Sequence, residues 1–151
     1  MVNKKKITFK SLLIIGLILA VGIQFIPVDF SKPKSKSEND FIAITKPSEE
    51  TANLLRSACY DCHSNESVYP WYSKIAPVSW FLKSHVNEAR KHVNFSEWGT
   101  YSEKEKDILL TDCSDEIEDG EMPLFTYTWM HPDARLDEEK TEKLKEIFYE
   151  E

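Results

Sequence analysis

Two cysteines and a histidine stand close together at Cys59, Cys62 and His63, with the spacing C-x-x-C-H. Thiols at this spacing can add across the two vinyl groups of one haem, and the adjacent imidazole can then bind the iron. The same residues are compatible with a redox-active C-x-x-C pair or with half of a zinc site. The motif predicts covalently attached haem c, and the rest of the chain has to decide between these alternatives.

A long apolar run follows a lysine-rich N-terminus. No residue from Ser11 to Val28 is charged, and Gln24 is its main polar interruption. At about 1.5 Å per residue, such a run nearly crosses a hydrocarbon core of about 30 Å. Residues 7–28 therefore predict a transmembrane helix. A signal peptide cleaved near residues 20–22 is the alternative, but the apolar run continues past that point.

Both alternatives export the C-terminal part of the chain. The lysines before the apolar run should stay in the cytoplasm, which places the following domain in the periplasm or another extracytoplasmic space at the cell membrane. Haem is attached to C-x-x-C-H motifs outside the cytoplasm, whereas unprotected cysteines there tend to form disulfides. The predicted location therefore favours haem over zinc.

The charge of the chain limits its partners. Residues 29–44 are rich in Lys, Ser and Pro and predict a flexible tether, and residues 45–151 predict one small domain. From residue 41 onward there are 12 Lys and Arg against 23 Asp and Glu, a formal charge of −11. Nucleic acid is thereby disfavoured, and a basic redox partner protein fits better. Acidity that merely keeps the domain soluble is an equal alternative.

The hydrophobic spacing of this domain predicts an all-α fold. Ser48 can cap a helix that carries Leu55, Cys59 and Cys62 on one face. A second helix is expected from Pro77, with an apolar stripe formed by Val78, Phe81, Leu82, His85, Val86 and Ala89. A third should run from Ser102 to Asp119 and end at Gly120, and a fourth should begin near Asp137. No segment alternates long enough to predict a strand.

Four side chains are candidates for the second axial ligand of a haem bound by His63. Met122 is preferred because it lies in a proline-stiffened loop, Gly120-Glu121-Met122-Pro123, 59 positions after His63. His85 and His131 are the runners-up, and His92 resembles a helix-end histidine. A vacant sixth position is the remaining alternative. Met122 could equally be a methionine that fills a gap in the core.

The identity of this ligand determines the chemistry. A thioether opposite an imidazole raises the reduction potential and closes the iron to substrates, which is typical of an electron carrier and not of an enzyme. An open site would instead make a haem-based sensor or gas-binding module. A third hypothesis is a metal or thiol module without haem. A zinc site there could use Cys59, Cys62 and Cys113 with a histidine. We expect Cys113 to act as a small apolar side chain.

The aromatic residues after His63 could serve the same cofactor. Tyr69, Trp71, Tyr72, Trp80 and Phe81 could pack against a porphyrin or form an ordinary core. A carbonyl of the proline-bounded loop at Pro70 could accept the Nδ1 proton of His63.

The motifs together resemble the haem-binding domain family of small membrane-anchored proteins similar to c-type cytochromes. The resemblance rests on Cys59–Glu66, Pro70–Ser73, Ala76–Trp80, Asn94–Trp98, Gly120–Pro123, His131–Pro132 and the anchor end Ile23–Pro27. It implies a small cytochrome c-like helical domain, one haem on Cys59 and Cys62, and ligation by His63. Leu124 departs from the family, where a second proline is common after Met-Pro. The resemblance names no reaction and no partner.

Overall fold

The computed structural model describes residues 8–149, and this part of the chain is helical without a β-strand. Its α-helices are α1 Phe9–Gly22, α2 Phe41–Thr45, α3 Glu49–Leu55, α4 Asp61–His63, α5 Val78–His92, α6 Glu103–Glu118, α7 Phe125–Met130 and α8 Glu138–Tyr149. A π-helical turn, Arg56–Tyr60, joins α3 to α4. Short 3₁₀ turns occupy Ile23–Phe25, Ser37–Asn39, Trp71–Lys74, Phe95–Thr100 and Pro132–Ala134. The all-α prediction is confirmed.

The described residues divide into two compact units, one formed by 8–30 with 70–84 and the other by 31–69 with 85–149. In the first unit, no side chain of α1 is buried although nearly all of them are apolar. The side-chain amide of Gln24 accepts a hydrogen bond from the Ala76 amide at 3.0 Å and donates one to the Ala76 carbonyl at 3.1 Å. The side chain of Gln24, which interrupts the apolar run, thus has hydrogen-bond partners for both its oxygen and its nitrogen.

The predicted transmembrane helix over residues 7–28 is shorter in the structure. Helix α1 has 14 residues and is followed by the 3₁₀ turn Ile23–Phe25. Within residues 8–149, no helix is both long enough and apolar enough to cross a membrane. Residue 7 and the lysines at positions 4–6 lie outside the described part of the chain.

The second unit contains a continuous apolar core. Its fully buried aromatic side chains come from α2 and from the turn Phe95–Thr100, and Phe41 meets Trp98 edge-on with ring centroids 5.0 Å apart. Helices α3 and α6 both pack against α8. The core members are Phe41, Leu54, Leu55, Tyr60, Val93, Phe95, Trp98, Leu110, Ile117, Leu144 and Phe148. The core begins at Phe41, inside the segment 29–44 that the composition assigns to a tether.

The predicted helix signals are borne out at several ends. The Ser48 hydroxyl accepts from the Thr51 amide and caps α3. Ser102 and Glu105 form a capping box at the start of α6, which satisfies amides that a helix N-terminus otherwise leaves unpaired. Gly120, at φ +72°, follows the end of α6 in the left-handed conformation that glycine adopts at low cost. Helix α8 begins at Glu138 and buries Leu144 and Phe148.

Two expectations about the helices are wrong in detail. The helix that begins at Ser48 does not remain α-helical through Cys59, because a π-helical turn intervenes before α4. The expected stripe of α5 is not uniformly buried either, since Val86 is 1% exposed but Phe81 is 66% exposed. Periodicity locates the helices but cannot anticipate an inserted π turn, which changes the number of residues per turn.

Candidate haem-binding site

The C-x-x-C-H motif occupies the junction between the π turn and α4. Cys59 belongs to the π turn, and Cys62 and His63 belong to α4. All three cysteines of the chain are free thiols. Both thiols of the motif are therefore available for addition to vinyl groups, a step that uses the sulfur and its proton and needs no oxidant.

The imidazole of His63 is held by the backbone that follows α5. Its Nδ1 lies 3.3 Å from the carbonyl oxygen of Val93. A carbonyl only accepts, so Nδ1 carries the proton and the lone pair of the neutral ring is on Nε2, the arrangement common in metal-binding histidines. The carbonyl acceptor belongs to Val93, the residue after α5, and not to the proline-bounded loop at Pro70 that the sequence indicated.

The electrostatic surroundings keep this imidazole neutral. Burial is the largest influence and lowers the pKa of His63, while the carbonyls of Val93 and Ala89 act in the opposite direction. A neutral imidazole is the form that binds iron. Burial likewise raises the pKa of Cys62 to about 11 and raises that of Cys59 further, so both remain protonated thiols at neutral pH.

The two residues between the cysteines fasten the motif to other elements. The Tyr60 hydroxyl donates to Asp40, the capping residue of α2, at 3.1 Å, and its ring stacks on Phe95 at 5.6 Å. Asp61 accepts from the Val68 amide at 2.8 Å with one oxygen and from the Tyr127 hydroxyl at 2.8 Å with the other. The C-x-x-C-H pattern by itself gives no role to Tyr60 or Asp61, because the identity of the x residues is not part of the motif.

A buried polar network holds the loop that follows His63. Arg90 donates to the Ser64 carbonyl at 2.7 Å and to the Ser67 hydroxyl at 2.8 Å. The Asn65 amide donates to the Ser96 hydroxyl at 3.0 Å, and the Asn94 side chain donates to that of Asn65 at 3.0 Å. Buried polar groups that are fully paired fix one geometry, because leaving one of them unpaired is costly. The network therefore holds the loop beside His63 in a defined position.

Met122 reaches the same core as the motif. Its side chain is partly buried and packs against the core cluster, as do those of Cys59 and Cys113. The amides of Glu121 and Met122 both donate to the Glu116 carbonyl, at 3.0 and 3.1 Å, as the chain leaves α6 through Gly120. The end of α6 thus sets the path of the Met122 backbone.

The three histidines other than His63 lie in different surroundings. His85 is exposed on α5, and His92, also exposed, ends α5 with its Nε2 4.0 Å from a Glu88 oxygen. His131 is partly buried and stacks on Tyr127, with ring centroids 4.3 Å apart and an interplanar angle of 15°. His131 is therefore tied to a residue that contacts the motif.

The remaining sequence candidates are placed as follows. Trp71 is 71% exposed, whereas Tyr69, Tyr72 and Trp80 are partly buried. Cys113 packs against the core from α6, and burial raises its pKa to about 12, as expected of a small apolar side chain. Among residues 8–149, no group of three or more His, Cys, Asp or Glu side chains is arranged to hold a metal ion.

The sulfur and nitrogen atoms of this site are of the kinds that hold a haem. Two free thiols lie on adjacent turns, and the neighbouring imidazole has its Nδ1 proton engaged by a carbonyl and its pKa lowered. Met122 provides a soft thioether on the same core. In c-type cytochromes, a thiol pair of this kind attaches the haem through its vinyl groups, and an imidazole and a thioether bind the iron.

Comparison with known proteins supports haem binding. The family model of the haem-binding domain matches residues 18–150, which is most of the chain. The protein belongs to the haem-binding domain family and is a haem-binding protein. Neither a curated protein nor a solved structure matches the chain.

Proposed function

We propose that this protein is a membrane-tethered c-type cytochrome-like electron carrier, with one haem bound covalently to Cys59 and Cys62. The observation that carries the proposal is the state of the motif. Its two cysteines are not paired in a disulfide, and the His63 Nδ1 proton is donated to the Val93 carbonyl, which leaves Nε2 as the nitrogen for iron. When bound, the haem supplies one-electron chemistry, and the chain supplies its attachment and its axial ligands.

The assignment of electron transfer rests on Met122. Its side chain packs against the core that also receives Cys59, and its backbone follows the turn at Gly120. If Met122 and His63 both held the iron of a bound haem, the thioether would favour its reduced state and keep other ligands off. The domain would then exchange electrons with a partner protein, and its acidic surface, with a charge of −11 from residue 41 onward, favours a basic one.

The membrane tether is supported by α1. Nearly all of its side chains are apolar and none is buried, although burying such residues is favourable. A lipid environment would remove this surface from water. The N-terminal lysines of the sequence favour a tether whose haem domain would lie on the extracytoplasmic side of the membrane, in the periplasm where the cell has an outer membrane.

Counting thiols tests the covalent attachment. The full chain is produced with haem-attachment machinery, unfolded in denaturant and alkylated, and its mass is then measured. We expect one haem and one alkyl group, because two of the three cysteines are thioethers and only Cys113 can react. The Cys113→Ser variant should retain the haem and take up no alkyl group.

A different number of alkyl groups would contradict the covalent attachment. Three alkyl groups, with haem extracted by acidified organic solvent, would show that the haem is not covalent and would contradict this proposal.

A further inference from the structure

Tyr127 joins two parts of the chain that are far apart in sequence. It lies on α7, and its hydroxyl is 2.8 Å from Oδ2 of Asp61, inside the C-x-x-C-H motif, and 3.0 Å from the Ser57 carbonyl. Both acceptors belong to the segment that presents the haem-binding cysteines. Helix α7 is therefore fastened to the motif by a hydrogen bond to a carboxylate, a stronger kind than one between neutral groups.

The segment before α7 carries Met122. Leu124, two residues after Met122, is the N-cap of α7, and its carbonyl accepts from the amides of Tyr127 and Thr128 at 2.9 and 3.0 Å. The backbone between Met122 and Tyr127 is thus short and hydrogen-bonded. Restraining Tyr127 against the motif restrains Met122 as well.

The ring of Tyr127 is itself braced. His131 stacks on it at 4.3 Å, and the His131 amide donates to the Tyr127 carbonyl at 3.0 Å. Asp61 is also fixed from the other side, because its Oδ1 accepts from the Val68 amide. A donor and an acceptor that are both held in place lose little entropy when they pair.

We infer that Tyr127 is a positioning residue that ties the Met122 segment to the haem motif through Asp61 and so determines how firmly Met122 closes the sixth position of the iron. This inference rests on the proposed ligation by Met122. The bond concerned joins the side chains of Tyr127 and Asp61. His131 then braces the Tyr127 ring instead of binding the iron.

The test uses the full haem-loaded chain with Tyr127→Phe. Loss of a hydrogen bond to a charged group should raise the affinity of the oxidised protein for imidazole about tenfold or more, because the added ligand competes with a less firmly held thioether. The Met-to-iron absorption band should weaken and the reduction potential should fall. Tyr149→Phe is the control, since this tyrosine is 63% exposed at the end of α8.

A second measurement does not depend on the haem. Hydrogen exchange of the α7 amides in the haem-free full chain should be faster in Tyr127→Phe than in the wild type and unchanged in Tyr149→Phe. The double variant Asp61→Asn/Tyr127→Phe should bind imidazole about as tightly as Tyr127→Phe alone. Both changes act on the same hydrogen bond, so their effects should not add.

The two ways of failing are distinguishable. If the wild type already lacks the Met-to-iron band and binds carbon monoxide readily, the ligation by Met122 fails and this inference fails with it. If the wild type is closed and Tyr127→Phe keeps the same imidazole affinity and the same α7 exchange, the role of Tyr127 is overturned while the proposed function stands.

Discussion

At the scale of single residues, the site is built from side chains whose partners are spread along the chain. His63 depends on a carbonyl at Val93, and Asp61 depends on a hydroxyl at Tyr127. Each contact spans 30 or more positions. The chemistry of the motif is local, but its orientation depends on these distant partners.

The first prediction at this scale separates the two possible roles of Met122. Met122→Leu preserves volume, so it should cost less than about 1.5 kcal/mol of unfolding free energy, whereas Met122→Ala should cost about 2 kcal/mol because it leaves a cavity. Both variants should lower the reduction potential and let carbon monoxide bind the reduced protein. The two are compared by chemical denaturation and by visible spectra.

The control for this prediction is Met130→Leu, on the exposed side of α7, where Met130 is 48% exposed. It should change neither the spectrum nor the potential. A Met122→Leu protein with the wild-type spectrum would reduce Met122 to a packing residue and favour an open, sensor-like iron.

At the scale of elements, the residues that end α6 also set the path of the chain that follows it. Gly120 adopts φ +72°, and the amides that follow it return to the Glu116 carbonyl. The reversal directs the chain into the Met122 loop. Gly120 thus sets both the end of α6 and the start of the loop that carries Met122.

The Gly120→Ala variant tests this role of the glycine. A Cβ at this position meets no atom within 4 Å, so the effect arises from the backbone conformation alone. We expect a loss of about 1–2 kcal/mol of unfolding free energy in urea denaturation. Gly120→Asn should cost less, because asparagine tolerates the left-handed region better. Equal losses for the two variants would contradict this explanation.

At the scale of the whole molecule, the chain combines an exposed apolar helix with an acidic polar remainder. The side chains of α1 are about half to three-quarters exposed at every large apolar position. A contiguous apolar surface of this kind marks a contact with lipid or with another protein. The proposed tether accounts for it.

The prediction for the whole molecule concerns its partition between membrane and water. Placing aspartate at Ile14 and Ile18 together should release the full chain from membranes washed at alkaline pH, since each acid costs about 2.5–3.5 kcal/mol within a bilayer. Aspartate at Ile108 and Tyr149, which are comparably exposed on α6 and α8, should leave it membrane-bound. Release by both pairs, or by neither, would argue against α1 as the tether.

The sequence by itself determined the chemistry and most of the helices. The motif residues Cys59, Cys62 and His63, the caps Ser48 and Ser102, and the stop at Gly120 are short-range signals, because each acts within one or two turns of backbone. They indicated haem and an all-α fold without any knowledge of distant contacts.

Only the tertiary structure decided how the motif is held. The Val93 carbonyl, the Tyr127 hydroxyl and the network around Asn65 are contacts between segments that the sequence does not pair. Such contacts depend on how the helices pack, and Tyr127 carries no local pattern that distinguishes it from other tyrosines. The same limit applies to Phe41, whose polar neighbours predicted a tether but whose ring fills the core.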